Sequence, residues 1–267
     1  MIGADRGVLA LLRAHRPSPL HVVDPFKVPP REAVLKAEAV QRAGLPFLLL
    51  ASTDYDRFDE RMPAYVARVK AAVDIPVITH FPPRPGAGLP VATGADALLA
   101  PALLGSTDPY FVWQSLLETL HVQHGRGTAQ EDLPEFLLEA ALTFGDDPVS
   151  AAVMHTEPLG RTPAQLDRRI ETIRAFGFPV VYLYSRFEQV TGRVCRYFRD
   201  RLSPGQLIFI GGNVRSREQL EGYLRAGADY VVFAGALERA DWREELDRMC
   251  GAPGPRARNG AAALRQT

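Results

Sequence analysis

The sequence predicts an α/β protein with one (β/α)8 barrel, or TIM barrel, that covers residues 1–251. Three observations predict this fold. Eight short apolar runs recur along the chain, amphipathic helical patterns separate several of them, and 267 residues suit a barrel of roughly 250 residues. Each run is continuously apolar, as expected of parallel strands that are buried on both faces. The predicted strands are residues 20–24, 46–51, 75–80, 97–101, 151–155, 179–184, 207–211 and 230–234.

Helix-capping signals place three helices between these strands. Residues 31–43 follow two prolines and precede Gly44, which is a typical start and stop. Residues 162–176 begin with Thr162 as the N-cap and with a proline in the first turn. Residues 216–226 begin with the capping-box pattern Ser-Arg-Glu-Gln. Each helix would return the chain from the end of one strand to the start of the next.

Three segments depart from this alternation. Residues 82–94 have no helical pattern, so we expect a degenerate connection, without its usual helix, between strands three and four. Residues 116–144 are longer than one connection needs, and their pattern predicts two helices with a loop between them. Residues 252–267 are rich in Gly, Pro, Ala and Arg without a core pattern, and we expect a disordered tail.

Composition and charge exclude several classes of protein. The formal net charge is +0, so the sequence lacks the basic excess of a nucleic-acid-binding protein. The two cysteines, Cys195 and Cys250, are too few for a disulfide framework and have no metal-type spacing, which favours a reducing cytoplasm. No apolar stretch reaches the roughly 18 residues of a transmembrane segment, and the N-terminal residues lack a signal-peptide pattern.

Glycines follow the last two predicted strands, at the end of the barrel where such enzymes carry their active sites. Gly211, Gly212 and Asn213 follow strand seven, and Ala234 and Gly235 follow strand eight. In this fold these loops commonly bind phosphate through backbone N–H groups. Glycine has no side chain, so a phosphate is able to approach these groups closely. The sequence therefore favours a phosphate site here over glycines that serve only as turns.

Oxygen ligands follow the first two strands. Asp24 ends strand one and Thr53 follows strand two. A carboxylate and a hydroxyl at neighbouring strand ends are able to hold Mg²⁺, which proteins usually bind through few side chains together with substrate phosphates. Two alternatives remain open: Asp54 is a rival ligand, and Asp24 alone is also typical of a turn before Pro25.

Strand six ends in a polar run with a cation. The run is Tyr182, Leu183, Tyr184, Ser185 and Arg186. An arginine at this end of the barrel is able to bind a carboxylate or a phosphate with two hydrogen bonds. The equally supported alternative is a surface arginine that pairs with Glu188.

Two histidines end predicted strands, His80 on strand three and His155 on strand five. Both are expected at the mouth of the barrel, and the favoured interpretation is a hydrogen-bonded structural histidine in each case. Five other residues are candidates for an apolar pocket around a hydrocarbon chain, with ordinary barrel–helix packing as the alternative. They are Phe81, Leu103, Leu104, Phe111 and Trp113.

Taken in order, these segments resemble the geranylgeranylglyceryl phosphate synthases and their bacterial heptaprenylglyceryl phosphate relatives over residues 20–242. The matching pieces are HVVDPFK for the family's DPxK, AST for GGS, LLAPALLGS for IPSxLNS, MHTEPLGRT for NPDxxxA, VVYLYSR for YLEYxSG, IGGNVRS for GGGI(K/R) and VVFAGALE for VVGN. Each piece is short, and the specificity lies in their shared order and spacing.

The resemblance implies a Mg²⁺-dependent prenyltransferase that joins an allylic diphosphate to a phosphorylated three-carbon acceptor. It implies that Asp24 and Thr53 hold the metal on the diphosphate, so that the allylic C–O bond can ionise. A held acceptor hydroxyl would then attack with a high effective concentration. The implied acceptor site comprises Tyr182, Leu183, Tyr184, Ser185, Arg186, Gly211, Gly212, Asn213, Ala234 and Gly235. The predicted catalytic residues are Asp24, Tyr184 and Arg186.

Departures from the family pattern bear on the acceptor. The family's acceptor-binding Glu aligns with Tyr184, and Arg186 follows two residues later. This chain therefore lacks the family's carboxylate at this place and has an additional cation. This exchange suits an acceptor with its own carboxylate. The chain therefore resembles most the branch of the moenomycin pathway, which joins a farnesyl chain to the 2-hydroxyl of 3-phosphoglycerate in antibiotic biosynthesis. The asparagine of NPD is replaced by Glu157, and GGS by residues 51–53, which indicates a remodelled site.

Several alternatives remain open from the sequence. The same chemistry on glycerol 1-phosphate is the closest alternative. A phosphate-binding barrel isomerase or aldolase would usually need a base or a Schiff-base lysine at a strand end, where Lys27 is the nearest lysine. A non-catalytic sensor of phosphorylated metabolites would not need Asp24 and Thr53. We expect a cytoplasmic enzyme that contacts membranes through its lipid product, and a homodimer is compatible with the sequence.

Overall fold

The computed structural model describes residues 7–52, 61–92, 94–145, 147–186, 190–235, 238 and 241–251. Eight parallel strands form a closed barrel in sequence order, and β8 pairs with β1 to complete it. This confirms the predicted fold class. The strands are β1 Ser18–Val23, β2 Leu48–Ala51, β3 Val77–His80, β4 Ala97–Leu103, β5 Glu135–Thr143, β6 Val180–Tyr184, β7 Leu207–Gly211 and β8 Tyr230–Phe233.

Helices surround this barrel on its outside, and α1 precedes the first strand. The α-helices of the described residues are α1 Val8–Ala14, α2 Pro30–Arg42, α3 Met62–Lys70, α4 Ser115–Gly125, α5 Pro148–Met154, α6 Pro163–Phe176, α7 Gly192–Arg199, α8 Arg217–Arg225 and α9 Trp242–Cys250. A π-helical turn leads into α4, and a short 3-10 turn precedes β5. The three helices expected from capping signals are present as α2, α6 and α8. As predicted, Thr162 is the N-cap of α6 and Ser216 is the N-cap of α8.

The predicted fifth strand was wrong. Residues 151–155 lie mostly in α5, and the fifth strand is Glu135–Thr143, inside the region predicted as two helices. Pro148 at the first helical position and the Ala-Ala-Val-Met run both favour a helix. The run EFLLEAALT contains helix-forming residues, yet it pairs with β4 along seven positions and with β6 along five. Pairing within the barrel overrides its local preference.

The degenerate connection between strands three and four is confirmed for the residues that the structure describes. Residues 81–92 and 94–96 contain no helix, and a bridge between Arg84 and Gly88 forms a tight turn there. The predicted disordered tail, residues 252–267, lies outside the described residues.

The two largest apolar cores among the described residues hold the barrel together. One lies between the strands and the surrounding helices, and the other fills the barrel interior. The interior core includes Leu20, Leu49, Ile78, Tyr182 and Phe209, whose side chains alternate along their strands with those that face the helices. Because alternate residues share a face, residues two positions further along each strand also point inward, closer to the C-terminal mouth.

Helix α1 closes the opposite, N-terminal end of the barrel. Its buried Val8 and Leu12 belong to the interior core. The Tyr230 hydroxyl donates to the Leu12 carbonyl at 2.8 Å. The Glu135 carboxylate accepts from the backbone N–H groups of Val8 and Leu9, at the positive end of the helix. The C-terminal mouth is thus the end of the barrel interior that α1 leaves open.

Candidate active site at the barrel mouth

Asp24 lies directly after β1, where the chain turns toward α2. Its Oδ1 accepts from the Phe26 N–H at 3.0 Å, and its Oδ2 accepts from the Ser52 hydroxyl at 3.1 Å. The Lys27 ammonium lies 3.9 Å from Oδ2. Burial raises the pKa of the Asp24 carboxyl above its ordinary value, and the Phe26 and Ser52 hydrogen bonds partly oppose this. A second cation beside Asp24 would favour its charged form.

The hydroxyl that contacts Asp24 belongs to Ser52, which sequence reasoning passed over in favour of its neighbour. Thr53 and its rival Asp54 lie outside the described residues, so the predicted Asp24–Thr53 pair stays a prediction. Ser52 follows β2 directly, and the Asp24–Ser52 hydrogen bond joins the ends of β1 and β2. The sequence did contain a signal for Ser52. It directly follows β2, and the neighbouring strand β1 is followed by Asp24.

These groups fit the binding of Mg²⁺ together with a diphosphate. In the described part of the chain, no three His, Cys, Asp or Glu side chains are arranged to hold a metal ion. Mg²⁺ does not need such a cluster, because it commonly binds one or two carboxylates, substrate phosphates and water. Asp24 provides the carboxylate, and the Ser52 hydroxyl provides a neighbouring oxygen.

The end of β6 brings the predicted acceptor residues to the same mouth. The Tyr182 ring lies inside the barrel, 5.9 Å from the Tyr184 ring between centroids. Burial raises the pKa of Tyr184 to about 12, the charge of Asp147 raises it further, and the Arg186 guanidinium partly opposes that rise. Ser185 is fully buried and Arg186 is exposed. Leu183 is also fully buried, but it belongs to the outer core that faces the helices. It therefore lies away from the mouth.

The loop after β7 packs closely against the end of β6. Gly212 has φ +85°, and a Cβ there would overlap the Ser185 carbonyl oxygen. Asn213 also lies in the left-handed region, with φ 57°, which asparagine tolerates better than most residues. A Cβ on Gly211 would overlap the Tyr182 side chain. The glycines of this loop are therefore required by close packing.

The loop after β8 is open by comparison. Gly235 is exposed, and a Cβ built on it would meet no described residue within 4 Å. Ala234 is half-buried beside it. Further along, the Glu238 carboxylate lies 2.9 Å from the Lys27 ammonium and so links this loop to the turn after β1. Gly235 thus leaves space at the mouth that a ligand is able to enter.

His80 ends β3, as predicted, and lies at the mouth beside a carboxylate that sequence reasoning missed. Its Nε2 is 3.3 Å from Oε1 of Glu139, which is fully buried on β5. The Tyr182 ring lies 5.6 Å from the imidazole between centroids. Glu139 was overlooked because its segment was predicted to be helical. The signal was a lone Glu within an apolar run of strand length.

His155 does not end a strand, so that prediction was wrong. It follows α5, is exposed, and has φ 51°. Its carbonyl accepts from the Thr107 N–H at 2.9 Å, and the Glu157 N–H donates to the Gly105 carbonyl at 2.9 Å. The segment matched to the family's NPDxxxA motif therefore lies after α5, against the β4 loop, instead of at the end of β5.

The five candidates for an apolar pocket do not share one surface. Leu103 and Phe111 pack together with Ala141 near the mouth. Phe81 and Leu104 belong to the core between barrel and helices. Trp113 is 56% exposed on the turn before α4. Leu103 and Phe111 thus share a buried cluster near the strand ends, whereas Phe81 and Leu104 follow strand ends but pack toward the helices.

Strand order, the polar residues at the mouth and the two glycine loops together define a (β/α)8-barrel enzyme. The chain belongs to the geranylgeranylglyceryl phosphate synthase family, as its similarity to known members shows. It is 30% identical to the geranylgeranylglyceryl phosphate synthase of Cenarchaeum symbiosum over 223 residues, which cover 82% of this chain and 85% of the relative. Family membership confirms the predicted enzyme class, a prenyltransferase.

Further comparisons agree with this assignment. The Thermoplasma acidophilum synthase is 25% identical over 240 residues, 86% of this chain and 88% of that protein. Its crystal structure in complex with sn-glycerol-1-phosphate superposes with a TM-score of 0.77 at 22% identity, and the match covers 93% of this chain and 99% of that one. No protein-family profile matches the sequence. Within the described residues, no helix has the length and apolar character needed to cross a membrane.

Proposed function

We propose that this enzyme transfers a prenyl group from an allylic diphosphate to a hydroxyl of a phosphorylated three-carbon acceptor, with glycerol 1-phosphate as the first candidate. Family membership carries this proposal, because the relatives are named as synthases of geranylgeranylglyceryl phosphate. The mouth supports it, because an acidic strand end and two glycine loops lie around one opening.

The diphosphate is expected at the ends of β1 and β2. Asp24 and Ser52 would hold Mg²⁺ there together with Thr53, and the bound metal would supply charge neutralisation of the leaving group. Lys27 lies within 3.9 Å of Asp24 and adds positive charge at the same place. Both contributions favour departure of the diphosphate, since negative charge develops on it as the allylic C–O bond breaks.

The acceptor is expected across the mouth, at the ends of β6, β7 and β8. Backbone N–H groups around Gly212 and Gly235 would bind its phosphate, because anions bind well where consecutive amides converge. Burial keeps the Tyr184 phenol protonated at neutral pH, with a pKa raised to about 12. Tyr184 is therefore a hydrogen-bond donor for an acceptor oxygen and does not act as a base.

A second acceptor, 3-phosphoglycerate, is favoured by one observation. Arg186 is exposed and follows the last residue of β6 by two positions, so it lies at the mouth end of that strand. An acceptor carboxylate beside it would form a charge-assisted, two-pronged hydrogen bond. Glycerol 1-phosphate carries a neutral hydroxymethyl group instead, which gains less from an arginine.

Product analysis with both acceptors tests the proposal. The purified enzyme is given farnesyl or geranylgeranyl diphosphate, Mg²⁺ and either acceptor, and ether products are identified by mass spectrometry. We expect an ether product with at least one acceptor. Pyrophosphate release without any ether product, across all four combinations, would contradict prenyl transfer to these acceptors.

The variant Arg186→Ala then decides between the acceptors. If Arg186 binds a carboxylate, the variant should lower kcat/KM for 3-phosphoglycerate by roughly tenfold or more, which is about 1.4 kcal/mol, and change that for glycerol 1-phosphate little. Arg174→Ala is the matched control, because Arg174 is exposed in the last turn of α6, at the opposite end of the barrel. Equal losses for both acceptors would exclude a role of Arg186 in selecting the acceptor.

A further inference from the structure

We propose that His80, supported by Glu139, is the base that accepts the proton of the acceptor hydroxyl. This inference rests on the prenyl transfer proposed above and extends it to a second carboxylate and an imidazole inside the barrel. His80 is assigned the catalytic contact with the acceptor. Glu139 is assigned a positioning role, because it is fully buried behind the imidazole.

Strand geometry places both side chains inside the barrel. Ile78 and Leu137 belong to the interior core, and His80 and Glu139 follow each of them by two residues. Since alternate residues of a strand share a face, both point inward and lie one layer closer to the mouth. Their contact is 3.3 Å between Nε2 and Oε1.

The two members of this pair differ in access to the mouth. The Glu139 side chain is 0% exposed, whereas the His80 side chain is 19% exposed. The Glu139 oxygens make no hydrogen bond of good geometry with any described residue. A buried carboxylate without partners is costly, and a neighbouring imidazolium offsets that cost. The arrangement thus sets an imidazole with access to the mouth against a buried carboxylate.

Two tyrosine rings lie between His80 and the proposed acceptor site. The Tyr182 ring lies 5.6 Å from His80, and the Tyr184 ring lies 5.9 Å beyond Tyr182. Glu139 and the two tyrosines are the titratable groups that face this region from β5 and β6. The flanking strands add none, because Ala51 of β2 is in register with His80 and β4 is apolar throughout. Glu139 is therefore the acidic side chain of these strands that contacts the imidazole.

The pair supplies the step that prenyl transfer still requires. The allylic C–O bond breaks and its electron pair leaves with the diphosphate. The acceptor oxygen forms the new C–O bond and must lose its proton. That proton moves to the ring nitrogen of His80 that does not face Glu139, and Glu139 stabilises the resulting imidazolium, as carboxylates do in other acid–base pairs. Release to solvent then restores the neutral imidazole.

A purely structural role for the pair is the competing explanation, and an apolar double variant separates the two. Replacement of a buried polar pair by apolar residues of similar size is often neutral or stabilising. The variant His80→Leu/Glu139→Leu should therefore fold with a melting temperature at or above that of the wild type. If the pair only supports packing, this variant stays active. If His80 is the base, ether formation falls by about 10²–10⁴-fold.

Glu139→Gln gives a second measurement that does not depend on the double variant folding. It keeps the shape of the side chain and removes its charge. We expect kcat to fall at least tenfold with the acceptor KM changed less than threefold, which is a loss confined to the transition state. The acidic limb of the kcat profile should move to lower pH, because the imidazolium has lost its counter-charge.

The outcomes distinguish this proposal from the function on which it rests. If the wild type forms no ether product, the prenyl transfer itself is wrong. If the wild type is active and the double variant stays within threefold of it, His80 is not the base. If Glu139→Gln raises the acceptor KM at constant kcat, with an unchanged pH profile, Glu139 does not position the base.

Discussion

The two ends of the barrel differ in how completely their buried carboxylates are paired. At the N-terminal end, Asp229 accepts from the Ile208 N–H at 2.7 Å, from Arg199 at 3.0 Å and from Arg16 at 3.1 Å. Asp96 accepts from the Val77 N–H at 2.8 Å and pairs with Lys70 at 2.6 Å. These carboxylates tie the starts of neighbouring strands to each other and to the helices.

At the C-terminal mouth, one buried carboxylate is less completely paired. Glu139 makes no well-aligned hydrogen bond with a described residue, and burial raises the pKa of Asp24 above its ordinary value. The contrast teaches that one end of the barrel is built for stability, while the other retains polar capacity for a ligand. If this holds, substitutions at the two ends should have opposite signatures in stability and activity.

Among the substitutions that compare the two ends, the largest effect is expected for Asp24→Asn, on activity. The asparagine oxygen still accepts from the Phe26 N–H, so the fold should persist, whereas the charge that would hold Mg²⁺ is gone. We expect kcat to fall by roughly 10³-fold, about 4 kcal/mol, with little change in the midpoint of urea unfolding. Steady-state rates at limiting Mg²⁺ measure this. Unchanged activity would remove Asp24 from the site, and Ser52→Ala, which deletes its partner hydroxyl, should show a smaller loss.

Asp229→Ala should have the converse signature. It leaves Arg16, Arg199 and the Ile208 N–H without their shared acceptor. Because the two arginines keep some contact with water, we expect a loss of about 2–4 kcal/mol in the free energy of unfolding. Urea unfolding gives this value, and kcat per folded molecule should equal that of the wild type. A large loss of kcat in the folded variant would break the division between the two ends.

The sequence was sufficient to predict seven of the eight strands and the mouth residues that follow them, but not the His80–Glu139 contact. Strands such as β7 and β8 are short β-branched or aromatic runs bounded by glycine, and both were located within one residue of their observed ends. The segment EFLLEAALT was misplaced because its residues suit a helix as well as a strand, and only pairing with β4 and β6 decides between them. Local sequence does not contain that information.

The mouth shows the same limit. Asp24, Tyr184 and Gly212 follow recognisable strands, so their arrival at one end was predictable. The His80–Glu139 contact joins residues 59 positions apart on strands that are not neighbours, and it depends on the inward face of a strand that was not identified. The misplacement of β5 thus concealed the second carboxylate of the mouth.

His21 tests whether an unpaired polar atom is by itself a sign of function. Its ring is fully buried, Nδ1 lies 3.2 Å from the Phe233 carbonyl oxygen, and Nε2 has no partner among the described residues. Burial is the main cause that lowers its pKa to about 3, and the charge of Lys36 lowers it further. His21 is therefore neutral in the folded protein, outside the mouth, and it should affect stability alone.

The consequence is a pH dependence of folding with a defined sign. The unfolded chain binds a proton on His21 below pH about 6.5, whereas the folded protein does so only near pH about 3. This histidine's contribution to stability is therefore complete above pH 6.5 and declines as pH falls toward 3, by about 1.4 kcal/mol per pH unit. Between pH 6.5 and 5 we expect a loss of about 2 kcal/mol from urea unfolding, absent in His21→Phe. Parallel slopes for the two proteins would contradict it.

The smallest effects are expected for substitutions in the glycine loops after β7 and β8, which allow a comparison of two positions within the mouth. Gly212 is held in a left-handed conformation against the Ser185 carbonyl, whereas a Cβ on Gly235 meets nothing within 4 Å in the part of the chain that the structure describes. Gly212→Ala should therefore lower stability, because its methyl group has no room and its backbone conformation is strained. Gly235→Val should leave stability unchanged, since its side chain enters the open space where the acceptor phosphate is expected.

If the phosphate occupies that space, the valine methyl groups keep it from the backbone N–H groups of the β8 loop. We expect the acceptor KM of Gly235→Val to rise roughly tenfold, about 1.4 kcal/mol, while the KM for the prenyl diphosphate stays unchanged. Inhibition by inorganic phosphate should weaken by a similar factor, which reports on the phosphate site without turnover. A rise in the prenyl diphosphate KM alone would instead place the leaving group, and not the acceptor, at the β8 loop. The assignment of the two halves of the mouth would then have to be exchanged.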